Sequence, residues 1–134
     1  MMLPSLGTAG GLQQQQQQQQ PQVPRQPDYR DVLVRLPGGG IGVGSHWRDD
    51  SMLEAVPLEG GDVVLLDVVE LVPAEKKDIV KVVYGEKQGQ IGQVMLFDRD
   101  DVVLVGGDIV DSTQLGKLAP AAADEARRRN LVKL

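Results

Sequence analysis

The only histidine, His46, is flanked by Ser45, Asp49, Asp50 and Ser51, residue types that in another arrangement supply a nucleophile, its base and an orienting acid. Such triads are assembled from distant parts of a chain, so His46 is expected on a surface loop. Cysteine is absent, which excludes thiol nucleophiles, thiol redox chemistry and disulfides. With a single histidine, zinc also lacks a second soft ligand. Asp98, Asp100 and Asp101 lie close together, but the glycine and terminal glutamate of a calcium loop are missing; a solvated turn is expected there. The glycine-rich stretch 38–44 (GGGIGVG) follows an apolar run as a phosphate cradle would. It matches no phosphate-binding spacing and no helical pattern follows it, so it reads as a hairpin loop. No catalytic constellation results: the chain is expected to be no enzyme, with no cofactor, no metal and no small-molecule substrate.

Binding residues are easier to find. Trp47 beside Arg48 has two readings, a stacking platform for a base or a partner's proline and a partly buried core residue in a chain with only four aromatics (Tyr29, Trp47, Tyr84 and Phe97). Lys81, Lys87 and Gln88 surround a glycine-rich turn and are the candidates for RNA phosphate or protein contact, with Tyr84 as a stacking side chain; the alternative is ordinary solvated charge on a hairpin. Arg127, Arg128 and Arg129 read as a nuclear-import or nucleic-acid patch, or as a solvated helix face. Charge argues against a duplex-DNA binder that works by counterion release. The net charge is −5, divided as +1 over residues 1–27, −6 over 28–73, −2 over 74–118 and +2 over 119–134.

The elements that must position these residues are short. Residues 1–27 hold eight consecutive glutamines followed by Pro21, Pro24 and Pro27, and are expected to be a disordered, polyglutamine-containing tail. From residue 31 (DVLVRL) onward, valine-rich runs of two to seven residues recur between Gly-Gly, Pro or Asp-rich turns, the pattern of an all-β protein with seven or more strands. Two segments, 28–73 and 74–118, have parallel layouts and suggest an internal repeat of about 45 residues. Modules this short are marginal alone, so they are expected to pack together across the short hinge at residues 71–74. Residues 119–134 are basic, and 121–134 (AAADEARRRNLVKL) read as a helix with Asp124–Arg128 and Glu125–Arg129 pairs. No apolar run approaches the roughly 20 residues of a membrane span, and residues 1–12 lack the pattern of a secretory leader; no membrane partner and an intracellular location are expected.

One stretch carries a signature. In residues 80–94 (VKVVYGEKQGQIGQV), Val80 and Val82 share a strand face, Gly85 permits a bend, Gly89 and Gly92 permit positive φ or close backbone approach, and Val94 begins the inward face of a second strand that continues with Leu96. The spacing V-x-V-x-x-G-x-x-x-G-x-x-G-x-V resembles the KOW motif of NusG-type transcription elongation factors and several ribosomal proteins. The wider layout of residues 30–118 is similar to the C-terminal KOW pair of the eukaryotic NusG homologues, the large subunits of the DSIF elongation factor. The resemblance implies two tandem SH3/Tudor-like barrels, a degenerate one at 28–73 and a motif-bearing one at 74–118. It further implies a nuclear, non-enzymatic module that contacts RNA polymerase II, nascent RNA or associated factors. On this reading the chain is a fragment, the product of a truncated reading frame or a divergent paralogue. Two alternatives stand beside it: a ribosome-associated or other RNA-binding KOW protein, and a protein-interaction module of a ubiquitin-pathway or chromatin factor.

Overall fold

The computed structural model describes residues 26–132; the glutamine run and the tail expected around it lie outside them up to residue 25. Nine short strands form two antiparallel sheets, followed by one helix. The N-terminal sheet comprises β1 (Leu33–Arg35), β2 (Ile41–Trp47), β3 (Leu53–Pro57) and β4 (Val64–Leu66), in sequential order. The C-terminal sheet comprises β5 (Ile79–Val82), β6 (Ile91–Asp98), β7 (Asp101–Leu104), β8 (Ile109–Asp111) and β9 (Leu115–Lys117), in the order β9-β5-β6-β7-β8. A single 3-10 turn, Ser112–Gln114, carries the chain from β8 to β9.

Each sheet buries its own valine and leucine cluster. Val34, Leu53, Ala55 and Leu66 fill the N-terminal one; Val80, Val82, Val94, Val102, Leu104, Val110 and Leu115 fill the C-terminal one. A third cluster joins the halves, with Val32 meeting Ile79, Val83, Leu118, Ala126 and Val132. Backbone hydrogen bonds reinforce this seam. The second edge of β1 and the residues before it is taken partly by the closing segment of its own half (Arg35 N to Glu70 O, 2.8 Å; Val72 N to Leu33 O, 3.3 Å) and partly by the other half (Ala119 N to Asp31 O, 2.8 Å). Val34 bridges Leu71 and Val32 bridges Leu118, both antiparallel. A strand edge that would otherwise invite foreign pairing is thereby covered.

The two halves repeat one another closely. Asp31 and Lys77, both at positive φ, donate to Gly44 O and Val94 O at 2.9 and 2.8 Å; Gly44 N and Val94 N donate back to Val32 O and Asp78 O at 2.8 and 2.9 Å. The offset is 46 residues before and along the first strand, and 50 along the long second strand, where Ile41-Gly42 and Trp47 correspond to Ile91-Gly92 and Phe97. Both long strands carry a bulge at the same place, so that Trp47 falls opposite Leu53 and Phe97 opposite Val102. The bulge corrects the expected alternation: Leu96 faces outward and is 38% exposed, and Phe97 takes the face of the buried Val102.

The helix α1 (Pro120–Arg128) is shorter than the residues 121–134 expected from composition. Pro120 occupies its first turn, where a missing N–H costs nothing. Asn130, at φ 57°, ends it: Asn130 N donates to Arg127 O (3.1 Å) and Leu131 N to Ala126 O (2.9 Å), a Schellman closure. The chain then turns back and Val132 enters the seam. Glu125 pairs with Arg129 at 3.0 Å as expected, whereas Asp124 pairs with Arg127 at 3.4 Å and not with Arg128.

Candidate functional site

The motif residues fold into the β5–β6 hairpin. Val80 and Val82 point into the C-terminal core, whereas Ile79 and Lys81, with Val83 just beyond the strand, face the seam. Gly85 and Gly89 adopt φ of 99° and 96°, a region that side chains with a Cβ avoid. They allow Gly89 N to reach Val82 O at 2.7 Å and Gln88 N to reach Gly85 O at 3.1 Å, closing a compact turn. Gly92 serves by close approach: a Cβ there would stand 2.9 Å from Leu104 Cδ1.

Three of the candidate binding residues lie together on this turn. Tyr84 is 45% exposed. Lys87 Nζ lies 3.8 Å from Asp108 Oδ1, a loose exposed pair, and Gln90 Nε2 donates to the other oxygen of that carboxylate at 2.6 Å, which fixes the turn against the loop between β7 and β8. Gln88 Nε2 donates to Gln26 O at 3.1 Å, and Gln26 Nε2 in turn donates to Asp49 O at 3.2 Å, so one glutamine links the exposed loops of both halves.

The other two candidates have structural positions. Lys81 is buried: its side chain is 9% exposed, its Nζ lies 2.9 Å from Asp28 Oδ1 and donates to Arg30 O at 3.0 Å. The lead-in at residues 28–32 covers the strand face on which a solvated lysine was expected, and that is why Lys81 does not join the surface. Trp47 is partly buried among the N-terminal cluster, donates through Nε1 to Pro27 O at 2.8 Å, and packs against Tyr29 with ring centroids 5.9 Å apart and planes 44° apart. Burial pushes the Tyr29 phenol above its ordinary pKa. The core reading of Trp47 therefore holds, and residues 26 and 27, assigned to the tail, belong to the folded part.

His46 is exposed, but on strand β2 and not on the loop expected for it; its Nδ1 lies 3.1 Å from Ser45 Oγ and its Nε2 3.5 Å from Glu54 Oε2. Asp49 and Asp111 cap turns. Hydrogen bonds from the Ser51 backbone and hydroxyl, then Met52, hold the Asp49 carboxyl below its ordinary pKa; the Thr113 hydroxyl and backbone N–H do the same for Asp111. Among the described residues no group of three or more metal-ligating side chains converges, and no helix is long and apolar enough to cross a membrane.

Two features escaped the sequence reading. The lead-in Asp28 and Tyr29 are partners of Lys81 and Trp47, for which the sequence carries no signal beyond their aromatic and acidic types. Phe97, which the structure leaves 43% exposed, is marked by its 50-residue offset from Trp47. Comparison with protein-family models and with curated proteins finds no match for the chain.

Proposed function

We propose that each half is a small SH3/Tudor-like barrel of the KOW type and that the pair acts as a non-enzymatic docking module on the RNA polymerase II elongation complex, its nascent RNA or associated factors, in the nucleus. One observation carries the reading. The fifteen-residue motif occupies a strand–turn–strand unit whose glycines take the backbone roles that the motif requires and whose turn presents Tyr84, Lys87 and Gln88. The pairing of β9 with β5, and of Leu71 with β1, supports closure of each half in the manner of a five-stranded barrel. In this reading the sheets hold the loops rigid, Lys87 supplies a charge for phosphate or an acidic surface, and Tyr84 supplies a ring face for a base or an apolar side chain. The net charge of −5 confines nucleic-acid contact to this local patch.

The test is crosslinking mass spectrometry of the tagged chain in nuclear extract at physiological salt, with a Tyr84→Ala/Lys87→Ala double variant as control. Polymerase or elongation-factor crosslinks that diminish in the variant are the expected result. Recovery of ribosomal or ubiquitin-pathway proteins in their place would refute the elongation role.

A further inference from the structure

The register of the C-terminal sheet sets two unlike rows of side chains next to one another. Leu96 pairs with Val103 and Val103 with Ile109, an apolar row across β6, β7 and β8; Asp98 pairs with Asp101 and Asp101 with Asp111, an acidic row across the same strands. On each strand the two rows are two residues apart, so they share one face. It is the face opposite to Val102 and Val110, which fill the core. Leu96 and the three aspartates are exposed, as is Ile109 at 58%. Among the described residues none of these carboxylates has an ion-pair partner, although Asp111 also caps the turn that follows it.

The equivalent face of the N-terminal half neutralises itself. His46 and Arg48 stand where the C-terminal half has Leu96 and Asp98, and Glu54, opposite Leu65, stands where it has Val103, opposite Ile109. Arg48 Nη2 and His46 Nε2 lie 2.9 and 3.5 Å from Glu54 Oε2. The C-terminal face has apolar side chains in place of that ion pair, and its acids are uncompensated.

Both rows end on a free edge, because β8 is the last strand of its sheet. Leu104 N donates to Asp108 O and Ser112 N to Asp100 O, both at 2.8 Å, so the even positions along β8 turn their backbone groups to β7. The backbone groups of Ile109 and the N–H of Asp111 therefore aim the other way, where no strand of the described residues lies. Such an edge is a template for a further strand. A strand laid along it continues the rows when it sets an apolar residue beside Ile109 and, two positions away, a cation beside Asp111. The carboxylates repel anionic ligands, and a second copy would bring its own Asp108 and Asp111 to the same edge.

We infer that the β8 edge is a strand-addition site for an extended, basic peptide segment of a partner protein. The segment runs antiparallel to β8, with isoleucine or valine beside Ile109 and, two residues before it, arginine or lysine beside Asp111. The edge is distinct from the Tyr84–Gln88 turn, so loss of polymerase crosslinks and loss of peptide binding are separate outcomes.

The test is an NMR titration of the isotopically labelled full chain with the peptide acetyl-Lys-Thr-Arg-Val-Ile-Thr-amide at two salt concentrations. Saturable amide shifts at Ile109 and Asp111, with slowed hydrogen exchange at both, are expected, and binding should weaken as salt is raised. N-methylation of the peptide isoleucine removes the donor to Ile109 O and should lower affinity about fivefold or more, whereas N-methylation of its valine, which faces away from the edge, should not. A peptide with glutamate for arginine should also bind more weakly, and Asp98→Asn with Asp101→Asn should flatten the salt dependence. The site is overturned if no saturable shift occurs, if the isoleucine-methylated or the glutamate peptide binds equally, or if the double variant keeps the full salt dependence. Shifts of the same resonances with protein concentration alone would assign the edge to a second copy of the chain and overturn it as well.

Discussion

Asp28→Ala is expected to lower stability by about 2 kcal/mol, whereas Lys81→Met should cost less than about 1 kcal/mol. The asymmetry follows from where the two charges lie. The Lys81 side chain is 9% exposed and has two partners, Asp28 Oδ1 at 2.9 Å and Arg30 O at 3.0 Å. Truncating Asp28 leaves a buried ammonium with a single carbonyl. Breaking a fully buried pair in this way costs about 3–5 kcal/mol. The Asp28 side chain is 37% exposed, however, and water that enters beside it screens the loss, which brings the value towards the ~1.5–3 kcal/mol of a charge-assisted hydrogen bond. Methionine at position 81 keeps the apolar stem, removes the charge that needed a partner and returns Asp28 to solvent. Urea unfolding followed through Trp47, the single tryptophan, measures both variants and their double-mutant cycle, with an expected coupling of about 1–2 kcal/mol. Thermal midpoints should fall by roughly 4 °C or more per kcal/mol. If Asp28→Ala is within about 0.5 kcal/mol of the parent, or the coupling is below that size, Lys81 is not held in the seam and the burial argument fails.

Gly116→Ala should destabilise by about 1–3 kcal/mol, because a methyl group at that position collides with Val32 Cγ1 and β9 cannot retreat while it is paired with β5; Val32→Ala in the same chain should recover part of the loss in urea unfolding. The Asp49 and Asp111 carboxyls titrate below the ordinary 3.8 in the folded chain, so the stability they contribute is present above that value and disappears as pH falls through their lower folded pKa. An Asp49→Asn variant should therefore lose stability less steeply than the parent on the acid side, measured by urea midpoints from neutral pH downward; an identical acid limb would refute the role of the Ser51 and Met52 hydrogen bonds.

Much of this architecture is visible in the residue pattern, because valine-rich runs between glycine and aspartate turns have few other outcomes. The motif glycines were legible for the same reason: two of them need a backbone conformation and one needs closeness, and a glycine leaves either trace in the sequence. Lys81 shows the limit. In IVKVV every position but one is apolar, on both faces of the strand, which is the mark of a strand covered on both sides; a charge inside such a run is more economically explained by a buried partner than by solvent. The partner, Asp28, lies 53 residues earlier in a proline- and glutamine-rich context, and no local pattern connects the two. The bulge before Phe97 is equally silent, since one extra residue reverses the faces of Leu96 and Phe97 without changing composition.

The seam between the halves explains why the lead-in and the helix belong to the folded unit. The N-terminal sheet buries only Val34, Leu53, Ala55 and Leu66 in its own cluster, far too little apolar area to offset the ordering of some forty residues. The further burial comes from outside that sheet: Tyr29 and Leu71 pack against both its cluster and the seam, and Val32 sits among residues of β5, the helix and the chain beyond it. The residues that look most like linkers are consequently tied into both halves: Asp28 N donates to Val83 O, Tyr29 packs against the N-terminal cluster and the seam, Leu71 bridges Val34, Val72 N donates to Leu33 O, and Ala74 packs against the C-terminal cluster. The N-terminal half has its aromatic position closed by its own lead-in, while the C-terminal half keeps Phe97 and the motif turn exposed. The two halves therefore differ at an equivalent position, Trp47 being packed by Tyr29 and Phe97 being 43% exposed, although the N-terminal half also exposes Val56, Leu58, Val63, Leu65 and Val68.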